Sequence, residues 1–175
     1  MTETFIFEKI GSLKKAKDEL EQKLGIKILI EGKKITIEGE AIKEYEAKII
    51  LDAINFGFKP KQALILKNES YVFKKVNIKD FTRRKNLKDV RGRIIGTEGK
   101  TKRTIENVAN CEIIVKDNEV GIIGAEEHIN DAVTAITNLA RGTKQANVYR
   151  FLERMNVARK DKIDLGLKSG KSEEE

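Results

Sequence analysis

The chain has 175 residues, of which 39% are apolar, and its 35 lysines and arginines outnumber 28 acidic residues, giving a formal net charge of +7. This length accommodates two small compact domains, and the basic excess favours a polyanionic partner without specifying a fold. One cysteine and one histidine exclude a disulfide framework and argue against a metal site, and no stretch approaches the roughly 18 consecutive apolar residues of a membrane span.

The first part of the chain carries one set of helix and strand patterns. Residues 4–10 leave room for an opening strand or an opening helix, but hardly both. A helix is predicted from Lys14 to Leu24, because Gly25 readily takes the left-handed conformation that ends helices. Apolar residues then recur first at strand spacing and later at helix spacing. They predict strands at 26–30 and 34–37 and a helix through residues 42–50.

The second part carries a longer set. A strand is predicted over Tyr71–Ile78 and a short helix over Leu87–Ile95, followed by a glycine-containing loop. The next helix, Lys100 to Ala109, is predicted to end at Asn110, another residue that takes the left-handed cap. Further patterns predict strands at 111–115 and 119–123, a helix through 129–139, a C-terminal helix near 148–160, and a flexible tail at 161–175.

Displacing the sequence by 85 positions without a gap aligns it with itself. A single long period of this kind indicates two copies of one structural unit rather than a solenoid of many repeats. The aligned pairs include Ile10-Gly11 with Ile95-Gly96, Glu21 with Glu106, Ile28 with Ile113, Gly39 with Gly124, and Gly57 with Gly142.

The segment Gly96-Thr97-Glu98-Gly99 carries the strongest functional signal. Its two glycines allow a sharp turn and the close approach of a partner, and a helix starting at Lys100 would point its N–H groups and positive dipole end at a phosphate. Residues 83–103 hold nine basic and two acidic residues. The pattern predicts a nucleic-acid-binding loop, and the alternative is a tight turn that binds no ligand.

The element order, with Gly-x-x-Gly between the first two helices, resembles the K-homology (KH) domain, which binds RNA or single-stranded DNA. Residues 92–106, with the basic run Lys100-Thr101-Lys102, resemble the two-KH-domain small-subunit ribosome assembly factors shared by archaea and eukaryotes. Residues 147–152 resemble the closing segment of that family. The absence of a long N-terminal extension makes the chain look like an archaeal member.

This resemblance implies an α+β fold with two tandem type I KH domains, each a three-stranded antiparallel sheet with helices on one face. The first domain, residues 1–69, is expected to be truncated and degenerate, because Gly11-Ser12-Leu13-Lys14 has a lysine in place of the second glycine. It is therefore not expected to hold RNA in the usual manner, and a scaffold or protein-contact role is compatible with the resemblance. The second domain, with its C-terminal helix, is expected at residues 70–160.

The resemblance also implies a function. The protein is expected to bind single-stranded RNA at the 3′ end region of small-subunit ribosomal RNA, during subunit assembly and rRNA processing. It is expected to be a cytoplasmic, monomeric protein that is not an enzyme and uses no cofactor. Its implied protein partners are the endonuclease that trims this end and the adenine dimethyltransferase that modifies nearby bases.

In a KH-type complex the loop grips the sugar-phosphate chain, and the bases lie between the loop and the strand at 111–115. Gly96 and Gly99 would give close approach. Thr97 and Glu98 belong to the same RNA-binding loop, with the Glu98 side chain in water and its N–H facing the ligand. Lys100 and Thr101 would supply N–H groups and a hydroxyl, and Glu112 would join the strand backbone in reading bases. Phosphate contacts are expected from Arg91, Arg93, Lys102 and Arg103, and a groove floor from Ile94, Ile95, Ile105 and Ile113.

Two alternatives remain at this point. Gly99-Lys100-Thr101 resembles the end of a P-loop, which would indicate a nucleotide-binding enzyme. However, Ile94 stands where the leading glycine should be, and a P-loop follows a strand. The stronger alternative is a KH-domain regulator that binds some other single-stranded RNA.

Overall fold

The computed structural model describes residues 3–169 and shows two compact units. The first unit ends at Lys74 and the second begins at Lys75. The division therefore falls within a strand, a few residues beyond the boundary expected after residue 69.

The first unit has a three-stranded antiparallel sheet of order β1-β3-β2 with helices α1 and α2. Its elements are β1 (Glu3–Ile6), α1 (Gly11–Leu24), β2 (Lys27–Glu31), β3 (Lys34–Glu38), α2 (Ala41–Phe56) and α3 (Pro60–Ala63), which continues as a 3₁₀ turn at Leu64–Lys67. Apolar side chains of both helices and of the hairpin form its core. In each element they recur at the spacing that places them on one face. The fully buried ones include Leu13, Leu20, Ile28, Ile35, Ile37, Ile50 and Leu51.

The segment before α1 is a strand, which decides between the two options for residues 4–10. Phe5 pairs with Ile35 in the register of β1 and β3. The loop expected at Gly11-Ser12-Leu13-Lys14 is absent, because α1 begins at Gly11 and the Lys14 N–H donates to the Ile10 carbonyl at 2.8 Å. Leu13 is fully buried in this first turn. Lys14 does not readily adopt the positive φ that a second glycine allows, and the segment continues as helix instead of forming a loop.

The second unit repeats this plan, with an additional helix and a loop before the helix that corresponds to α1. Its sheet has the order β4-β6-β5. Its elements are β4 (Tyr71–Asn77), a 3₁₀ turn at Ile78–Phe81, α4 (Leu87–Ile95), a 3₁₀ turn at Thr97–Gly99, α5 (Lys100–Ala109), β5 (Cys111–Lys116), β6 (Glu119–Ala125), α6 (Glu126–Arg141) and α7 (Gln145–Ser169). The bounds predicted for α4 and α5 are confirmed. Together the two units confirm the predicted α+β fold.

The 85-residue period is reproduced in the fold. Helices α2 and α6 begin and end at equivalent positions of the two copies. As predicted, α1 and α5 end at residues in the left-handed conformation, Gly25 with φ 64° and Asn110 with φ 48°. The two hairpins also match, since each closes with two residues of which the first, Gly32 or Asp117, has a positive φ.

A glutamate on α1, and its equivalent on α5, binds the edge strand of the sheet in its own unit. The Glu21 carboxylate accepts the Ile28 N–H at 2.7 Å, and the Glu106 carboxylate accepts the Ile113 N–H at 2.8 Å. Each strand is an edge strand of its sheet. Alternate N–H groups of an edge strand point away from the neighbouring strand, and these two N–H groups are among them. The glutamates therefore satisfy donors that the sheet itself leaves unpaired.

Helix α7 is longer than the sequence predicts. It continues to Ser169, so residues 161–169 of the expected flexible tail are helical, and residues 170–175 lie outside the described residues. Residues 161–165 contain no proline or glycine, and a single glycine at 166 lowers helix stability by only about 1 kcal/mol. Composition had suggested disorder, but local helix propensity is sufficient here.

Candidate nucleic-acid interface

The loop between α4 and α5 runs from Gly96 to Gly99 and contains one 3₁₀ turn. Gly96 has φ 75° and Gly99 has φ 74°, in the region that favours glycine. A Cβ atom on Gly96 would lie 2.2 Å from the Thr101 hydroxyl oxygen. On Gly99, the nearest atoms would be 3.8 Å away. Gly96 is thus required by space and conformation, and Gly99 by conformation alone.

The loop exposes its middle residues and the start of α5. Thr97, Glu98 and Lys100 are exposed, and Glu98 takes a φ of 53°, which is uncommon for a residue with a side chain. Gly99 occupies the N-cap position, and none of the described side chains caps α5. The positive end of the α5 dipole therefore meets an accessible loop, where an anion would be stabilised.

Two of the arginines predicted to contact phosphate brace exposed backbone. Arg103 donates to the Glu98 carbonyl at 2.8 Å, and Arg91 donates to the Asp117 carbonyl in the β5–β6 turn at 2.8 Å. A guanidinium group has five N–H donors. Each arginine can therefore hold the backbone with one donor and bind phosphate with others.

The other two predicted phosphate contacts have partners inside the second unit. Arg93 donates to the carbonyls of Gly142 and Thr143, both at 3.0 Å, and so fastens α4 to the junction of α6 and α7. Lys102 forms an ion pair with Glu106 at 2.9 Å, the same carboxylate that holds β5. Both side chains are partly buried in these contacts. Their positive charge in the sequence therefore did not indicate that they bind groups within the protein.

The isoleucines expected to floor a groove divide into two groups. Ile94 and Ile105 are fully buried and Ile113 is 1% exposed, whereas Ile95 is 36% exposed. Consecutive helix residues point about 100° apart, so Ile95 faces outward when Ile94 faces the core. Of these four side chains only Ile95 offers exposed apolar surface, and the other three lie in the core beneath.

Thr101 also differs from its predicted role. It is 2% exposed, and its hydroxyl oxygen accepts hydrogen bonds from Gln145 Nε2 at 2.8 Å and from the Tyr149 hydroxyl at 3.3 Å. A hydroxyl that is buried and already paired is not offered to a phosphate. The sequence analysis did not identify Gln145, and it placed Tyr149 in the closing segment 147–152 without connecting it to the loop.

Strand β5, which follows α5, presents both a side chain and backbone groups. Glu112 is exposed on β5, and β5 is an edge strand, so one row of its backbone groups has no partner strand. Cys111 is buried, and burial raises the pKa of its thiol to about 12. The cysteine is therefore a neutral core residue, in agreement with its isolation in the sequence.

The geometry does not fit the P-loop alternative, because the loop follows helix α4 rather than a strand. Within residues 3–169, His, Cys, Asp and Glu form no group of three or more placed to hold a metal ion. Over the same residues, no helix combines the length and apolarity needed to cross a membrane.

Comparison with known proteins extends over both units. Residues 72–157 match the family described as the eukaryotic-type KH domain, KH-domain type I. A KH domain-containing protein of Methanocaldococcus jannaschii is 35% identical over 152 residues, covering 83% of this chain and 67% of that protein. The RNA-binding protein pno1 of Dictyostelium discoideum is 32% identical over 129 residues, covering 72% of this chain and 53% of that protein. The chain thus spans about half the length of the latter relative.

A solved structure is similar over nearly the whole chain. In the crystal structure of an a/eIF2α-aDim2p-rRNA complex from Pyrococcus horikoshii, the matching chain has a TM-score of 0.80 and 33% sequence identity. The match covers 90% of this chain and 95% of that one. Both units, including the first one without a glycine loop, are therefore part of the shared architecture.

Proposed function

The chain belongs to the archaeal branch of the KH-domain family that includes aDim2p and PNO1, and we propose that it binds single-stranded RNA at the 3′ end region of small-subunit ribosomal RNA. In this role it acts in assembly of the small ribosomal subunit. The observation that supports the proposal is the exposed Gly96–Gly99 loop, which leads into an uncapped α5 beside the edge strand β5.

The loop suits a sugar-phosphate chain. Gly96 allows the chain to turn over Thr101, and Gly99 leaves space for a close approach of the RNA backbone. The exposed residues Thr97 and Glu98 directly precede the positive end of the α5 dipole. Lys100 at the first position of α5 is exposed and supplies a positive charge. Arg103 and Arg91 add guanidinium donors that their backbone contacts leave available.

Bases would lie between this loop and β5. Ile95 gives an apolar surface at the end of α4, and Glu112 together with the outer backbone groups of β5 can accept or donate hydrogen bonds to base edges. Residues 84–122 contain no aromatic side chain, so stacking on aromatic rings does not contribute there. Recognition would then depend on hydrogen bonding and shape.

The finer parts of the proposal concern the setting. The protein holds RNA without catalysing a reaction, as a cytoplasmic monomer, and works beside the endonuclease that trims the 3′ end and the adenine dimethyltransferase that modifies nearby bases. The first unit, which has no glycine loop, serves as a scaffold or protein contact. The second unit, residues 75–169 of the described chain, carries the RNA.

The test is the affinity for a short strand copied from the 3′ end of small-subunit rRNA, compared with a scrambled strand at two salt concentrations. Salt weakens both complexes by counterion release, so the ratio of the two affinities is the informative quantity. A preference for the native strand is expected. Equal affinities would favour the alternative of a KH regulator with another RNA target, and an absence of binding would contradict the proposal.

A matched pair of variants tests the site. Lys100→Ala should reduce the slope of log affinity against log salt by about 0.7, the value for one phosphate contact on a single strand. Lys15 is exposed one repeat earlier in the first unit, so Lys15→Ala removes an equivalent charge and serves as the control. An equal change in slope for both variants would mean that the first unit also binds RNA.

A further inference from the structure

The first turn of α7 reaches the RNA-binding loop through a hydrogen-bonded cluster of Thr101, Gln145 and Tyr149, which we call the loop anchor. Gln145 and Tyr149 lie four residues apart and so project from the same side of α7. Both donate to the hydroxyl oxygen of Thr101, the second residue of α5. Two side chains of one helix thus converge on a single buried hydroxyl.

The loop anchor lies directly against the first glycine of the loop. A Cβ on Gly96 would be 2.2 Å from the Thr101 hydroxyl oxygen and 2.7 Å from the Thr101 backbone nitrogen. The hydroxyl therefore packs on the Gly96 backbone itself. Because Thr has few side-chain rotamers in a helix, hydrogen bonds that select one of them also fix what the loop packs against.

The other side of the loop is tied to the same turn of α7. Arg93, near the end of α4, donates to the carbonyls of Gly142 and Thr143, just before α7 begins. Gln145 Nε2 also lies 3.4 Å from the Arg93 carbonyl. The helix before the loop and the helix after it are thus both fastened to the start of α7.

The first copy of the repeat lacks this cluster. One repeat earlier, the positions of Thr101, Gln145 and Tyr149 are occupied by Ala16, Pro60 and Leu64. These residues have no side-chain donor or acceptor. The copy without the cluster is also the copy in which the loop is replaced by a helix.

We propose that Gln145 and Tyr149 are positioning residues that act through Thr101 to hold the loop backbone ready for RNA. These two residues of α7 thereby belong to the RNA-binding machinery although neither side chain touches the RNA. A loop held in its bound conformation loses less conformational entropy on binding, which raises affinity without adding a contact. The inference rests on the proposed function, because it assigns the loop its RNA-binding role.

The experiment compares Thr101→Val and the double variant Gln145→Ala, Tyr149→Phe with the full wild-type chain, using the 3′-end strand as the probe. Both are expected to weaken binding by roughly fivefold to tenfold, the scale of a lost buried hydrogen bond. The salt slope should stay unchanged, since no phosphate contact is removed. Amide hydrogen exchange at residues 97–99 should become faster in both variants, with or without RNA.

Two further variants separate positioning from general damage. Thr101→Ser keeps the hydroxyl and should restore most of the affinity and the slow exchange. Asn147→Ala lies on the same turn of α7 at an exposed position and should leave both unchanged. Thr101→Val preserves the side-chain shape, and the partners it releases are partly exposed and can bind water, so the domain should remain folded.

Each of the other possible results would contradict a specific part of this proposal. A lower melting temperature with unchanged affinity and unchanged exchange would show that the loop anchor is only structural. A salt slope lowered by about 0.7 would show that one of these residues contacts phosphate directly. If the wild type binds and the variants bind equally well, this inference fails alone, whereas a wild type that does not bind removes the proposed function as well.

Discussion

The two copies of the repeat share a frame, to which the second copy adds helix α4, a glycine loop and a long C-terminal helix. Helices α1 and α5 end at equivalent residues, the hairpins close in the same way, and Glu21 and Glu106 make the same hydrogen bond to an edge strand. However, the residues that form the glycine loop in the second copy form the first turn of α1 in the first copy. The frame is therefore kept without the loop, and the RNA binding that we propose depends on α4, the loop and the loop anchor.

The largest expected effect comes from adding negative charge to the loop. The double variant Thr97→Asp, Glu98→Asp keeps both glycines and adds one net charge at exposed positions. A like charge about 4 Å from a phosphate is unfavourable by roughly 4 kcal/mol at an effective dielectric constant near 20. Affinity for the 3′-end strand should therefore fall by more than about a hundredfold, as measured by fluorescence anisotropy.

The matched control is Ser12→Asp, which adds one charge at the position of Thr97 in the first copy, where the residue is also exposed. Its effect on affinity should be small. Circular dichroism would check that both variants are folded. Unchanged affinity in the folded loop variant would contradict the proposed site.

A second prediction compares the first glycine of each copy. Gly96→Ala forces a Cβ into the Thr101 hydroxyl at a positive φ, so the second unit should lose about 2–3 kcal/mol of stability. Gly11 lies at the start of α1, and a Cβ added there would have no atom within 4 Å, so Gly11→Ala should be neutral or stabilise by up to about 1 kcal/mol. Native-state hydrogen exchange reports each unit separately, and equal effects would show that Gly96 is not specially constrained.

A third prediction uses the shared glutamates, where the copies should respond alike. Glu21→Ala and Glu106→Ala each leave an edge-strand N–H without its acceptor, so each unit should lose about 1–3 kcal/mol. The corresponding Gln variants keep an acceptor and should lose less. Chemical denaturation monitored by hydrogen exchange would measure both, and a loss confined to one unit would mean that the two contacts are not equivalent.

The smallest expected effect depends on pH. Burial raises the pKa of Cys111 to about 12 from its ordinary value of 9.0, so the stability associated with the neutral thiol is complete below about pH 9 and is lost as the pH rises towards 12. At pH 10 the second unit should be destabilised by roughly 1 kcal/mol relative to a Cys111→Ala variant referenced at pH 7. Ile26 holds the equivalent position in the first copy and does not titrate. An identical pH dependence in wild type and variant would contradict the assignment.

The features that the sequence predicted correctly are local or periodic. The bounds of α4 and α5 and the residues that end the helices follow from spacing and from Gly25 and Asn110, which take conformations few other residues adopt. The repeat predicted the equivalence of the copies. Such signals are carried by neighbouring residues, so they do not depend on the tertiary structure.

The features that the sequence did not predict depend on distant partners. An isoleucine pattern fits a core and a groove floor equally well, so the burial of Ile94, Ile105 and Ile113 could be determined only from the fold. A positive charge does not indicate whether it faces solvent, and Arg93 binds carbonyls about fifty residues away in the chain. The role of Thr101 likewise depended on α7, whose contact with α5 no local pattern encodes.

The glutamates on the edge strands have a consequence for how a duplicated chain avoids misassembly. Strands β2 and β5 have similar sequences and are both edge strands of their sheets, so each could serve as a template for pairing with the other in a second molecule. Glu21 and Glu106 occupy a donor on each of these edges. An incoming strand would have to displace a carboxylate and leave it without that hydrogen bond. The same contact that stabilises each copy therefore also discourages aggregation between copies.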